Sequence, residues 1–473
     1  MAVEQTPDRP NIIWIMADDL SWGDLGCFGQ EKILTPSIDR MAAEGMRFMQ
    51  CHSGATVCAP SRSSLMQGLH QGHATVRDNA APGQYRHCLQ PEDVTVAEVL
   101  QGAGYRCGLF GKWGLAVWDQ TGLPNDKGFD EFCGYLNQRR AHSYYPEYLW
   151  RNQERIELPG NRGHNHKEPN QYDEAGRIIV NGVEDPGAAE YSFDVYARAA
   201  EQFVRDNHQR PFFLYLAYTI PHMALEVPGL GAYTDLDWPS LDHKIYAAMV
   251  TRMDSAIGRL LDLLEELQCD RNTLIFFTSD NGYSFVGAGI KPPLDEFFHH
   301  RGPWKGEKGN LHQGGLRVST LARWPARIRP GTTSELPWAF WDLLPTAAEL
   351  AGVSTPPSDG VSIAPTLLGE PRRQRGHDFL YWEYHHEQAV RLEDWYAYRP
   401  HPDRPVELYH ALEDPQELVD LAAELPQVAA QAAEIMREQH APNLYFPAPG
   451  QTREDWQAAL AARRIALPEN IDT

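Results

Sequence analysis

Four short apolar runs constrain this chain most, because each leads into a residue able to bind or transfer charge. "NIIWIM" runs into Asp18 and Asp19, "RCGLFG" into Lys112, "PFFLYLAY" toward Pro221 and His222, and "NTLIFFTS" into Asp280 and Asn281. Runs that are apolar throughout, rather than alternating, suit parallel strands buried on both faces. Between them lie stretches of helical periodicity: "SIDRMAAEGMRF", "VTVAEVLQGAG", "SFDVYARAAEQFVRD" and "KIYAAMVTRMDSAIGRLLDLLEEL". Strand alternating with helix predicts an α/β chain with a doubly wound, mostly parallel sheet. Ligands of such sheets bind beyond the carboxyl ends of the strands. A single strand ending in Asp is ordinary turn chemistry. Four such endings aimed into one crevice predict a site.

The turn-rich stretch "VSTPPSDGVSIAPTLLGEPRRQRGHD" divides the 473 residues into a larger domain over 1–360 and a smaller C-terminal subdomain over 361–473. The latter reads as α+β, from the strand-like "FLYWEYHH", "QAVRLEDWYAYRP" and "VELYHA" and the helical "QVAAQAAEIMREQH". Residues 137–190 are polar and aromatic without a period, as expected of a long insertion that walls a pocket.

The formal net charge of −22 argues against a nucleic-acid surface or a polybasic membrane anchor. No apolar run approaches the roughly 20 residues of a membrane-spanning helix, so neither nucleic acid nor membrane is an expected partner. An anionic substrate must then be held locally, by a few cations or a metal. "MAVEQTPDRP" lacks a basic region followed by an apolar one, so no signal peptide is read there. The expected location is cytoplasmic, or periplasmic or secreted if a leader has been removed. Seven scattered cysteines make no disulfide framework and no CxxC pair. The sequence carries no signal for an oligomeric state.

Asp18, Asp19, Asp280 and Asn281 offer oxygen donors alone, which suit Ca²⁺ or Mg²⁺ better than zinc. "VCAPSRSSLMQGL", residues 57–69, sets Cys58 at the mouth of a helix, with Pro60 in the first turn and Arg62 one turn in. Helix N-termini favour anions, and an arginine adds a fork of donors. Cys58 is then either a half-buried structural thiol or a nucleophile set into an anion site.

"CAPSR" fits the C-x-P-S-R signature, and from about residue 10 to residue 445 the chain resembles the type I sulfatases of the alkaline phosphatase superfamily. The resemblance implies an alkaline-phosphatase-like fold and a formylglycine-generating maturation enzyme as partner. That enzyme would oxidise Cys58 to Cα-formylglycine, with Pro60 and Arg62 in its recognition sequence. It further implies a calcium ion (Mg²⁺ being the alternative) held by Asp18, Asp19, Asp280 and Asn281 against the group derived from Cys58. Arg62, Lys112 and Lys308 match the cations around nucleophile and sulfate, and His222 in "TIPHMALEVP" matches the acid that protonates the leaving oxygen. Lys305 lies three residues before Lys308, but the spacing to the "GG" turn selects Lys308. An aldehyde is chemically apt, because its hydrate carries two hydroxyls on one carbon. One attacks sulfur, and the other later expels sulfate by breaking C–O, which a thiol cannot do.

Two positions depart from the family pattern. Gly114 in "GKWGL" stands where a histidine usually follows G-K-W, and Gln313 replaces the glutamate of the "EGG" turn. His142, in "QRRAHSYYPEYLW", and His73, in "GLHQGH", are the candidates to replace the missing base. The competing reading makes both of them structural or substrate-facing. GKWG-type relatives resemble carbohydrate sulfatases, and an aromatic insertion suits a sugar ring, so a sulfated glycan or small sulfate ester is the expected substrate. Two readings stay open beside it: a phosphonate monoester or phosphodiester hydrolase, and a catalytically weakened protein that binds sulfated glycans.

Overall fold

The computed structural model describes residues 9–79, 88–118, 120–285, 290–443, 446–452, 454, 455 and 458. The leader reading at the N-terminus and the end of the predicted C-terminal subdomain lie outside these residues.

The main sheet runs in the order Thr332–Ser334, Met46–Phe48, Thr320–Arg323, Thr273–Ser279, Asn11–Asp18, Phe212–Pro221, Arg106–Lys112, Glu131–Tyr135, Tyr148–Arg151, Glu154–Glu157. From Thr273–Ser279 through Glu131–Tyr135 neighbouring strands are parallel. Thr320–Arg323 on one side and the Tyr148–Glu157 hairpin on the other are antiparallel additions. The mostly parallel, doubly wound expectation is met.

Asn11–Asp18 shows why its sequence is continuously apolar: all eight residues are buried. Ile13, Ile15 and Ala17 face a layer built from the helices Pro36–Glu44, Ser192–Asn207 and Leu241–Glu266. Ile12, Trp14 and Met16 face the opposite layer, with Cys58–Gln67, Val96–Gly102 and Leu343–Ala351. Alternate side chains thus enter two cores, and neither face is free to be polar.

The structure corrects three local expectations. "SIDRMAAEGMRF" is helical only to Glu44. A side chain at Gly45 would put its Cβ 2.2 Å from the Ala322 carbonyl oxygen, and this close approach seats Met46–Phe48 as a strand beside Thr320–Arg323. The 137–190 insertion, read as aperiodic, carries two strands, Tyr148–Arg151 and Glu154–Glu157, which extend the main sheet through a turn with Asn152 at φ 53°. "QAVRLEDWYAYRP" is two strands, Glu387–Leu392 and Trp395–Arg399, reversed at Glu393 with φ 44°.

The C-terminal part is a four-stranded antiparallel sheet, ordered Leu380–Tyr384, Glu387–Leu392, Trp395–Arg399, Glu407–His410. Helix Pro426–Glu438 covers one face, with Ala432, Ile435 and Met436 packed among Tyr381, Val390, Ala397 and Leu408. All seven cysteines are free. Among the described residues no helix is long and apolar enough to cross a membrane.

Candidate active site

The parallel strands deliver their terminal residues to one pocket. Asp18 closes its strand, and Asp19 follows at φ 62°, a left-handed conformation uncommon for a residue other than glycine. This kink interrupts strand alternation and lets consecutive carboxylates share the pocket. Asp280 and Asn281 follow the neighbouring strand. The Asp19 amide donates to Asp280 Oδ1 at 3.2 Å, and Asn281 Nδ2 donates to Asp19 Oδ1 at 2.9 Å. Lys112, the last residue of its strand, donates from Nζ to Asp18 Oδ2 at 2.7 Å. His222 comes directly after Phe212–Pro221 and places Nε2 3.3 Å from Asp19 Oδ2, while its Nδ1 lies 2.6 Å from the Met223 carbonyl.

Cys58 is the first residue of helix Cys58–Gln67, which Gly68 ends in a left-handed cap at φ 66°. All ten helix residues are buried, so this segment is embedded rather than amphipathic. The Cys58 Sγ sits 3.5 Å from Asp18 Oδ1, 3.8 Å from Asn281 Oδ1 and 3.4 Å from Lys308 Nζ. Arg62, fully buried one turn on, directs Nη2 to Asp280 Oδ2 at 2.9 Å and Nη1 to the Lys112 carbonyl at 3.1 Å. Lys308 reaches Asp19 Oδ1 at 2.6 Å, whereas Lys305 lies over the Tyr409 ring.

Charges decide what the pocket can do. Asp18 is held well below the usual carboxylate range: burial opposes this, but Lys112 first, then His222, Arg62 and Lys308, outweigh it. Asp19 falls to about 2, against burial, chiefly through Lys308. Asp280 is instead pushed up, by burial and then by the Asp18 carboxylate. Burial, followed by Asp18 and Asp280, drives the Cys58 thiol up to about 12. As encoded, Cys58 stays a protonated thiol, and a thiol is a poor nucleophile.

The same residues fit a hard divalent cation. Asp18, Asp19, Cys58 and His222 each present a ligand-type atom within 4.8 Å of one another, and Asp280 and Asn281 add oxygens beside them. The raised Asp280 marks a crowding of carboxylates that a cation relieves. Arg62, Lys112 and Lys308 balance Asp18, Asp19 and Asp280 one for one. A bound divalent ion would therefore leave a net positive pocket, suited to an anion.

The remaining predicted residues divide. The His142 ring stacks on His222, 4.0 Å between centroids, and its Nε2 is buried without a partner among the described residues. Burial first, then the charges of His222 and Lys112, holds His142 down to about 2, which makes it a weak base. The base role expected from the sequence gains no support from that environment. Gly114 adopts φ 76°, and a Cβ there would lie 3.5 Å from the Gln138 Cβ, so Gln138 fills the space next to the missing histidine. His73 is not brought to this pocket: it hydrogen-bonds Asp359 through Nδ1 at 2.9 Å and stacks on His70 in a separate cluster. Its expected substrate contact gains no support from this placement. Gln313 is fully buried with neither amide atom partnered among the described residues, and nothing in the structure explains its choice over glutamate.

Sequence reasoning passed over two supporting residues. Ser284 donates to Asp19 Oδ2 at 3.0 Å, and its place three residues after Asn281 in "DNGYS" was a readable signal. Tyr144 directs its hydroxyl at the Thr219 and His222 carbonyls, at 2.7 and 2.6 Å, tying the insertion to the histidine loop. Only tertiary packing reveals that contact.

A pocket that a bound cation would leave net positive suits an anionic substrate, and the mostly parallel α/β sheet places it at the strand ends. Comparison with known proteins narrows this reading. The family model described as Sulfatase matches residues 10–353, and the chain belongs to the sulfatase family. It is a type I sulfatase, a hydrolase of sulfate esters. It is 32% identical over 429 residues to arylsulfatase G of Rattus norvegicus, covering 84% of this chain and 76% of the relative. It is 32% identical over 383 residues to N-acetylgalactosamine-6-sulfatase of Homo sapiens, covering 78% and 67%. The crystal structure of Ps i-CgsB in complex with k-i-k-neocarrahexaose superposes with a TM-score of 0.76 at 26% identity, covering 97% of this chain and 99% of that one.

Proposed function

We propose that this sulfatase hydrolyses sulfate monoesters of carbohydrates, with Cys58 matured to Cα-formylglycine by a formylglycine-generating enzyme and with Ca²⁺ held by Asp18, Asp19, Asp280 and Asn281. The observation that carries the proposal is the Cys58 side chain itself. It sits between Asp18, Asn281 and Lys308 at 3.5, 3.8 and 3.4 Å, where burial and the neighbouring carboxylates push its thiol up to about 12. Once matured, the hydrate of formylglycine supplies the attacking hydroxyl and, by its second hydroxyl, a route for releasing sulfate. A Ca²⁺ held by Asp18, Asp19, Asp280 and Asn281 would supply Lewis acidity to the nucleophile and the sulfate; Mg²⁺ is the alternative ion.

The chain's own residues do the rest. Lys308 and Lys112 flank the position of Cys58 and Asp18, where the charge of a sulfate group falls. Arg62 fixes Asp280 and the end of the Lys112 strand together. His222, half-buried with Nε2 toward the pocket, donates the proton to the departing alkoxide. Tyr144 holds the backbone that aims it. His142 presents an unpartnered Nε2 for a hydrogen bond to substrate.

The carbohydrate reading is supported by the sugar sulfate named for the human relative and by the oligosaccharide bound to the structural neighbour. The test is a panel of sulfated monosaccharides, 4-nitrophenyl sulfate and a matched aryl phosphonate, offered to enzyme co-expressed with a formylglycine-generating enzyme. Turnover of sugar sulfates with little phosphonate hydrolysis is expected. Preference for the phosphonate, or activity on aryl sulfate alone, would overturn the substrate class.

A further inference from the structure

Beside the catalytic pocket, the insertion carries two arginines stacked on one aromatic ring. Arg140 Cζ lies 4.7 Å and Arg155 Cζ 4.3 Å from the centroid of Tyr148, and Arg155 also lies 5.3 Å from the Trp150 ring. Both arginines are exposed. Among the described residues neither meets a carboxylate at ion-pair distance, whereas the nearby Arg106 and Arg151 are paired with Asp130 and Glu131. Glu157 lies across the hairpin from Tyr148, on the same face, but also stays out of ion-pair reach. In a chain with 64 acidic and 42 basic residues, two uncompensated guanidiniums on one ring form an unusual surface. Stacking on an aromatic face orders a guanidinium while its in-plane N–H groups stay available to an anion.

The sheet fixes where this surface lies. Lys112 is level with Tyr135, and Gly134 with Trp150, so Tyr148 stands just beyond the carboxyl end of the Lys112 strand, on the catalytic side. One strand separates the two, which puts them about 10 Å apart laterally. The turn that ends in His142 begins at Arg140. A saccharide unit next to the one being desulfated can bridge that gap.

We infer that Arg140, Arg155 and Tyr148 form a subsite for a second anionic group, a sulfate or carboxylate on a neighbouring sugar residue, so that the preferred substrate is an oligosaccharide of repeated negative charge. This rests on the carbohydrate reading above. The Tyr148 ring holds the two guanidiniums in place, and they offer the paired donors that carboxylates and sulfates accept.

The experiment measures binding of N-acetylgalactosamine 6-sulfate and of a chondroitin 6-sulfate tetrasaccharide by calorimetry, using the full-length Cys58→Ala protein with and without Arg140→Ala/Arg155→Ala. The expected result is a tetrasaccharide bound about tenfold more tightly than the monosaccharide, with the gap closed in the double variant and reduced by salt. Arg140→Glu should widen the loss, and retained monosaccharide affinity shows that the variants are folded. Equal tetrasaccharide binding by both proteins, or no gain from the longer ligand, would overturn the subsite alone. Failure to bind either saccharide, while matured wild-type enzyme hydrolyses 4-nitrophenyl sulfate, would overturn the carbohydrate reading and the subsite with it.

Discussion

His142 and His222 lie ring on ring, with 20° between their planes, yet they face different chemistry. His222 reaches a carboxylate through Nε2, while His142 keeps its Nε2 unpartnered and its proton affinity low. Removing a general acid hurts most where the leaving alkoxide is most basic. His222→Ala should therefore cost about 10²–10⁴-fold on a sugar sulfate and far less on 4-nitrophenyl sulfate. Equal losses on the two substrates would reduce His222 to a binding residue.

For His142 the expected outcome is a contact role. His142→Ala should raise KM for sugar sulfates without a burst of alcohol product, because a ring held near 2 takes up a proton poorly. A burst followed by a slow steady state would restore the base role that Gly114 leaves vacant.

Metal binding should show in stability as well as in rate. A cation bound only by the folded state adds about 2.7 kcal/mol when its free concentration is a hundred times Kd. Chelated protein should thus gain Tm on addition of Ca²⁺, and Asp280→Asn should lose most of that gain. A Ca²⁺ response unchanged by Asp280→Asn would place the ion elsewhere.

The strand ends were legible because burial on both faces forces a continuous apolar run, and the residue that ends the run is visible against it. Asp18, Lys112 and Asp280 could be found in this way, and the C-x-P-S-R stretch around Cys58 by its resemblance to a family signature. Tyr144, Gln138 and the hairpin at Tyr148 could not. Their roles arise from contacts between the insertion and distant strands, such as Tyr144 with Thr219, which leave no period in the sequence. His73, singled out by the resemblance of "GLHQGH", lies beyond the turn after Gln67 and meets Asp359 instead, a contact that the motif does not reveal.

Acid sensitivity follows from a buried histidine remote from the metal pocket. His52 is fully buried, with Nε2 unpartnered among the described residues, and burial, then Arg317 and Arg391, holds its pKa well below the usual value. The unfolded chain binds this proton below about pH 6.5 while the folded chain does not, so the contribution to stability is whole above that pH and drains away on acidification. The slope is up to about 1.4 kcal/mol per pH unit for one such group. Urea unfolding between pH 7.5 and 5 should give a shallower pH slope for His52→Gln than for wild type; parallel slopes would exclude His52 as a source.

The most direct measurement sets activity against the state of residue 58. Protein made with graded amounts of formylglycine-generating enzyme is digested, and the Cys58 peptide is weighed for the loss of about 18 Da that marks thiol-to-aldehyde conversion. Sulfatase turnover should rise in proportion to the converted fraction, extrapolate to zero at no conversion, and vanish in Cys58→Ala. Full turnover from protein whose Cys58 is entirely unmodified would contradict the mechanism.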